Sequence, residues 1–67
     1  MYTYKITLND GFEAEFVSRY HVSMMQVQNI NGAQMILFED ADTAVNLLHV
    51  DSMEIDGELY KLQAYNA

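Results

Sequence analysis

Apolar residues recur at every second position near the start of the chain, a spacing typical of β-strands. The alternation runs from Tyr2 to Leu8 and begins again from Phe12 to Phe16. Successive side chains of a strand point to opposite faces, so each segment is predicted to be a strand with one apolar face. Asn9-Asp10-Gly11 separates the two segments and contains residues that tolerate the positive φ of a tight turn. We therefore predict a β-hairpin over residues 2 to 17.

Asn31-Gly32 predicts a second hairpin, over about residues 24 to 38. Asn-Gly is a strong signal for a two-residue hairpin turn. A turn at this place would set Val27 opposite Ile36 and Met25 opposite Phe38, so that apolar residues face each other across the strands.

The segment that leads into this turn, residues 18 to 30, fits two patterns. Phe16, Tyr20, Met24 and Val27 would lie on one face of a helix. Alternation instead favours a strand with a bulge at Met24-Met25. We prefer the strand for this segment.

Residues 39 to 50 also allow two interpretations. A helix over about 40 to 49 would begin at Asp40 as its N-cap, and its apolar stripe would consist of Ala41, Ala44, Val45 and Leu48. The alternative is a polar turn over residues 40 to 43 followed by a strand that starts near Val45.

Asp56-Gly57 predicts a third hairpin, over roughly residues 51 to 65. Three hairpins indicate a single small domain over residues 1 to 67 that is mostly β. The expected architecture is a small antiparallel sheet or a small barrel, or an α+β fold if residues 40 to 49 are helical. The stretch from Val45 to Ile55 resembles the closing strands of SH3-like and Sm-like barrels, in which a strand, a one-turn kink and another short strand follow one another.

Composition shows how this domain can be stabilised. A chain of 67 residues buries only about 60% of its unfolded surface, so its core is marginal. Such domains often add disulfides, a metal or partner chains. The sequence has no Cys and only two His, so we expect neither a disulfide nor a structural metal. We expect a homo-oligomer instead.

The charge excludes several classes of partner. Ten acidic residues stand against only three basic ones, and the formal net charge is -7. Binding of DNA, RNA or an anionic membrane relies on Lys and Arg, so we expect no direct contact with nucleic acid or with a membrane. The longest apolar run, from Met35 to Phe38, is far shorter than the roughly 20 residues of a membrane span. The first residues contain no apolar signal-peptide core, and we expect a cytoplasmic protein.

No catalytic or cofactor motif stands out. Neither His21 nor His49 is near a recognisable nucleophile motif. Asp40-Ala41-Asp42 begins like a calcium loop, but Val45 occupies the position where that loop needs Gly. We therefore expect no enzyme activity, no cofactor and no metal.

The acidic residues themselves are the candidate functional residues. A strongly negative surface attracts a positive partner and speeds association. We therefore predict an interaction module that binds a basic protein surface, such as that of a nucleic-acid-handling protein. In size, charge and lack of catalytic motif the chain resembles small phage-encoded anti-defence proteins, of which anti-CRISPR proteins are the best known. Two alternatives are an oligomerising structural barrel module and a ligand-sequestering oligomer. The predicted partner-binding residues are Glu13, Glu15, Glu39, Asp40, Asp42, Asp51, Glu54, Asp56 and Glu58.

Overall fold

A computed structural model describes residues 1 to 61 of the chain as two small antiparallel sheets. The four-stranded sheet has the order β2-β1-β6-β7 and the three-stranded sheet has the order β3-β4-β5. This confirms the predicted mostly β fold. The strands are β1 (Tyr2–Leu8), β2 (Glu13–Ser18), β3 (Gln28–Ile30), β4 (Ala33–Phe38), β5 (Thr43–Asn46), β6 (Val50–Ile55) and β7 (Glu58–Tyr60).

The first hairpin forms where the alternating pattern predicts it. β1 pairs with β2, with Tyr4 opposite Phe16. Three hydrogen bonds hold the turn between them. The Leu8 N–H donates to the Phe12 carbonyl, the Gly11 N–H donates to the Leu8 carbonyl, and the Phe12 N–H donates to the Asp10 carboxylate. Gly11 has φ +88°, a conformation that glycine adopts without steric cost.

The second hairpin has the predicted register but is shorter than predicted. Ile30 lies opposite Ala33 and Gln28 lies opposite Met35, which is the register that would set Val27 against Ile36. The pairing ends at Gln28, so the strand predicted over residues 18 to 30 is wrong for residues 19 to 27. This segment crosses between the sheets instead, through a 3-10 turn at Val22–Met24 that buries Val22 in the core.

Of the two interpretations of residues 40 to 49, the turn followed by a strand is correct and the helix is wrong. Its first turn is a short 3-10 turn, Glu39–Ala41, which ends at Asp42 in the left-handed conformation (φ 51°). β5 then pairs with β4, so its backbone groups are satisfied by the sheet. A second 3-10 turn, Leu47–His49, leads directly into β6, and its N-cap is the Asn46 side chain.

The sequence of strand, single turn and strand from Val45 to Ile55 is thus the one expected from the resemblance to small barrels. The barrel itself does not close. Within residues 1 to 61, β2 pairs only with β1 and β5 pairs only with β4. The sheet alternative is therefore correct, and an open cleft lies where β2 and β5 would otherwise meet.

The third hairpin is confirmed up to Tyr60. β6 and β7 flank Asp56-Gly57, both of which have positive φ, as a tight two-residue turn requires. The rest of the predicted hairpin, residues 62 to 65, lies outside the described residues. Among the residues described, no helix has the length and apolar character that crossing a bilayer requires.

One core connects the two sheets. Tyr4, Phe16 and Phe38 form its centre, with ring centroids 4.8 to 5.0 Å apart. The core is completed by residues from both sheets and from the 3-10 turns Val22–Met24 and Leu47–His49. They are Ile6, Val22, Ile36, Val45, Leu47, Val50, Met53 and Ile55.

Candidate partner-binding site

The outer face of the four-stranded sheet collects acidic residues that are far apart in sequence. Glu15 lies opposite Lys5 on one side, and Glu54 lies opposite Lys5 on the other. Glu13 also approaches Lys5, with 3.8 Å between a carboxylate oxygen and the ammonium nitrogen. Residues directly opposite on neighbouring strands have Cβ atoms about 5 Å apart, so Glu15 and Glu54 flank Lys5 on the same face, and Glu13 forms the ion pair with it. We call Glu13, Glu15, Glu54 and Lys5 the acidic face.

The acidic face arises from the alternation that forms the core. In β1 and β6, Ile6 and Met53 point inward and are buried. Their neighbours Lys5 and Glu54 therefore point outward. The ion pair between Lys5 and Glu13 is solvent-exposed, so it contributes little to stability and leaves the face with a net negative charge.

Asp40 also has a structural role that the sequence did not indicate. Its carboxylate accepts a hydrogen bond of 2.8 Å from the Ser18 hydroxyl and another of 2.8 Å from the Arg19 N–H. The Arg19 guanidinium lies 3.9 Å away. The hydrogen bond from the Arg19 backbone, with further help from Ser18 and the Arg19 charge, holds the pKa of Asp40 below its usual value. This carboxylate therefore ties β2 to the Glu39–Ala41 turn.

The other predicted binding residues are exposed but separate from the acidic face. Glu39 and Asp42 flank Asp40 at the turn between β4 and β5. Asp51 is exposed where the pairing of β1 and β6 shifts register. Within residues 1 to 61 these three carboxylates make none of the hydrogen bonds that hold Asp40. Glu39 and Asp42 lie near each other, whereas Asp51 is on a different strand, β6.

Asp56 and Glu58 lie at the turn between β6 and β7, beside an open pocket of about 290 Å³. Tyr2, His21 and Tyr60 also line this pocket. The His21 ring lies between the two tyrosines, at centroid distances of 5.0 Å from Tyr2 and 5.3 Å from Tyr60, with its plane nearly perpendicular to each. We call this the aromatic pocket.

Local hydrogen bonds fix two groups of the aromatic pocket. The Asp56 carboxylate accepts from the Thr3 N–H at 2.9 Å, and the Asp56 N–H donates to the Thr3 carbonyl at 2.8 Å. His21 Nδ1 accepts from the Ser23 N–H at 3.1 Å and lies 2.8 Å from the Ser23 hydroxyl. Since Nδ1 accepts this backbone hydrogen bond, the His21 ring caps the Val22–Met24 turn.

Tyr4 is fully buried in the core and is hydrogen-bonded to the segment that carries His21. Its hydroxyl donates a 2.6 Å hydrogen bond to the Tyr20 carbonyl. Burial raises the pKa of the Tyr4 phenol, and the nearby groups of Tyr2, Asp56 and Tyr60 raise it further, while a backbone hydrogen bond at Val22 opposes them.

A second pocket is mostly apolar and lies between the two sheets. Its volume is about 320 Å³, and it is lined on one side by Ala14 and Phe16 of β2 and on the other by Ala44 and Val45 of β5. Phe12 stands at its rim with 62% of its surface exposed. This is the open cleft between the two unpaired strand edges.

The sequence could not reveal the aromatic pocket. Tyr2, His21 and Tyr60 come from three distant segments. The pairing of β1 with β6 and of β6 with β7 brings Tyr2 near Tyr60, and the segment that follows β2 places His21 beside both rings. The acidic face has a partial sequence signal, because Glu13 and Glu15 share one side of a predicted strand. The addition of Glu54 depends on tertiary pairing. Among residues 1 to 61, no group of three or more His, Asp or Glu side chains is arranged to hold a metal ion.

Comparison with protein-family models, with curated proteins and with solved structures gave no significant match for this chain.

Proposed function

We propose that this protein is a non-enzymatic, acidic binding module that occupies the basic surface of a nucleic-acid-handling protein, in the manner of small phage anti-defence inhibitors. The observation that carries the proposal is the acidic face. It presents Glu13, Glu15 and Glu54 on the outer side of a hydrogen-bonded sheet that carries a single lysine beside them.

The physical basis is electrostatic complementarity. Proteins that bind nucleic acid use arrays of Lys and Arg to neutralise phosphates. A sheet that carries several carboxylates at fixed positions offers the same charge to such a surface, and no large ordering cost arises because the strands are already paired. The chain has only three basic residues, so little positive charge on the module opposes this attraction.

The test is an affinity capture from cell extract with the full chain as bait, followed by direct binding measurements on each recovered protein. The informative variant is Glu13→Gln/Glu15→Gln/Glu54→Gln, which removes the negative charges of the acidic face. The matched control is Glu39→Gln/Asp42→Asn/Asp51→Asn, which removes the same charge from other exposed positions. Circular dichroism verifies that both variants are folded.

We expect nucleic-acid-binding proteins to be recovered by the wild type and by the control, and to be lost with the acidic-face variant. Duplex DNA should displace them, since both ligands use the same basic surface. Equal recovery by all three baits, or recovery that DNA does not affect, would contradict the proposal.

A second candidate function is assembly into a homo-oligomer. The observation that favours it is the open cleft, where β2 and β5 each have one unpaired edge within the described residues. Unpaired edges beside apolar side chains are a ready template for pairing with another chain. Light scattering over a range of protein concentrations tests this candidate, and a mass of 7.7 kDa at every concentration would exclude it.

A further inference from the structure

The aromatic pocket combines two features that recognise a cation. Tyr2 and Tyr60 place two electron-rich rings on either side of His21. A cation near such rings is attracted by their quadrupoles. At the edge of the same pocket lie the carboxylates of Asp56 and Glu58.

The pocket is built into the fold. Asp56 is held by the paired hydrogen bonds with Thr3, and His21 is held by Ser23. Tyr60 lies on β7, which is paired to β6. A side chain that enters the pocket therefore meets groups that are already in place. Binding does not have to order these groups, so it avoids that entropy cost.

We propose that the aromatic pocket receives an arginine side chain from a basic partner protein, with Asp56 and Glu58 binding its guanidinium and the rings of Tyr2 and Tyr60 contacting the side chain. This rests on the proposed function and deepens it, because it names a specific receptor for one basic residue of the partner.

Charge complementarity and shape favour arginine as the occupant. The net charge of the chain is -7, so the partner surface that it attracts is positive. The planar guanidinium stacks on aromatic rings and offers several donors to carboxylates, whereas an ammonium group is a strongly hydrated point charge. The pocket is also large enough, at about 290 Å³, for a side chain but small for a folded element.

The experiment uses the isotopically labelled full chain and follows its backbone amide signals by NMR. The probe is acetyl-Gly-Arg-Gly-amide. Two peptides of the same length serve as comparisons, one with citrulline, which has the shape of arginine without its charge, and one with lysine. We expect saturable shifts at His21, Asp56, Leu59 and Tyr60 with the arginine peptide, weaker shifts with lysine, and none with citrulline.

Asp56→Asn/Glu58→Gln should weaken binding of the arginine peptide by about tenfold or more, because charge-assisted hydrogen bonds are replaced by neutral ones. Asn tolerates the left-handed conformation of residue 56, and its amide oxygen can still accept from the Thr3 N–H, so the turn is preserved. Glu39→Gln/Asp51→Asn is the matched control and should bind as the wild type does.

Tyr60→Leu tests the contribution of the ring, since it keeps an apolar side chain on β7 and removes the π-system. It should weaken arginine binding and should leave the citrulline result unchanged. Equal shifts with citrulline, or arginine shifts confined to the strands of the acidic face, would overturn the proposal. Shifts of the pocket signals with protein concentration alone would assign the pocket to a second copy of the chain and would overturn it as well.

The two proposals fail in different ways. If the pocket variants retain full binding to the captured partner while the acidic-face variant loses it, the arginine receptor is wrong and the proposed function stands. If the arginine peptide binds the pocket as described but the acidic-face variant captures the same proteins as wild type, the proposed function is wrong.

Discussion

At the scale of single residues, acidic side chains of the same type have different roles. Asp40 is held by Ser18 and Arg19 and connects two segments of the backbone. Ser18 is completely buried, and its hydroxyl both donates to Asp40 and accepts from the Tyr20 N–H. A buried hydroxyl needs such partners, because leaving it unpaired costs about 1–3 kcal/mol. Asp40 is therefore a structural residue within an acidic sequence.

Asp40→Asn should lower stability at neutral pH and have little effect in acid. The pKa of Asp40 is lowered in the folded state, so its carboxylate stabilises the fold above the ordinary value of 3.8. That stabilisation is lost as the pH falls below 3.8 and through the folded-state pKa, where wild type and variant become alike. Urea unfolding across this range measures the effect.

Asp42→Asn is the control for this experiment, since it removes the same charge two residues away. Asn tolerates the left-handed conformation that residue 42 adopts. A difference between Asp40→Asn and wild type that stays constant from neutral to strongly acidic pH would contradict the role given to Asp40.

Tyr4→Phe should destabilise the protein by about 1 kcal/mol, because the Tyr20 carbonyl loses its hydrogen bond from the Tyr4 hydroxyl. The pKa of Tyr4 is raised in the folded state, so its contribution is complete below the ordinary value of 10.0. As the pH rises above 10.0, the wild type should lose this contribution and the variant should lose less.

Thermal unfolding in alkaline buffers measures the Tyr4 effect, with the partly exposed Tyr20 changed to Phe as the control. Equal alkaline sensitivity of Tyr4→Phe and wild type would show that another group is responsible.

At the scale of elements, Leu47 and Leu48 distinguish the observed fold from the predicted helix. In the helix, Leu48 belongs to the apolar stripe. In the structure, Leu47 is fully buried while Leu48 is 59% exposed. The reason is that the Leu47–His49 turn follows directly on β5 and turns Leu47 under β4, where it contacts the core.

Leu47→Ala should therefore cost about 2–5 kcal/mol, because it leaves a cavity in the core. That is a large part of the stability of a domain this small, and the variant is expected to be partly or wholly unfolded. Leu48→Ala should change stability by no more than about 0.5 kcal/mol. Chemical denaturation of both variants measures this, and the opposite ranking would support the helix.

At the scale of the whole molecule, the dominant property is the net charge of -7. The described part is 29 Å in its longest dimension. The Debye length is about 30 Å at 0.01 M salt and about 8 Å at 0.15 M. At low salt, every acidic residue therefore repels most of the others, whereas at physiological salt only neighbours interact.

The melting temperature should consequently rise with NaCl concentration, because screening relieves the repulsion within the folded state. Differential scanning calorimetry measures it. The Glu13→Gln/Glu15→Gln/Glu54→Gln variant removes three negative charges from one face and should show a smaller rise. A melting temperature that falls as salt increases would mean that favourable ion pairs outweigh the repulsion.

Elements that depend on interactions between neighbouring residues could be predicted from the sequence, and elements that depend on distant residues could not. The three turns were predictable, because Asn9-Asp10-Gly11, Asn31-Gly32 and Asp56-Gly57 carry their conformational preference within two or three residues. The segments 18 to 27 and 39 to 49 were not. Their apolar residues fit both helical and strand spacing, and the outcome depended on which neighbours could satisfy the backbone hydrogen bonds.

The sequence by itself determined the β character, the places of the hairpin turns, the register of the second hairpin and the excess of acidic residues. These properties depend on local conformation and on residue counts. Only the tertiary structure decided that Glu54 joins Glu13 and Glu15 on one face, that Asp40 is occupied by internal hydrogen bonds, and that distant aromatic residues form a pocket. The physical reason is that the pairing of β1 with β6 joins the two ends of the described chain, and no local pattern encodes which side chains that pairing brings together.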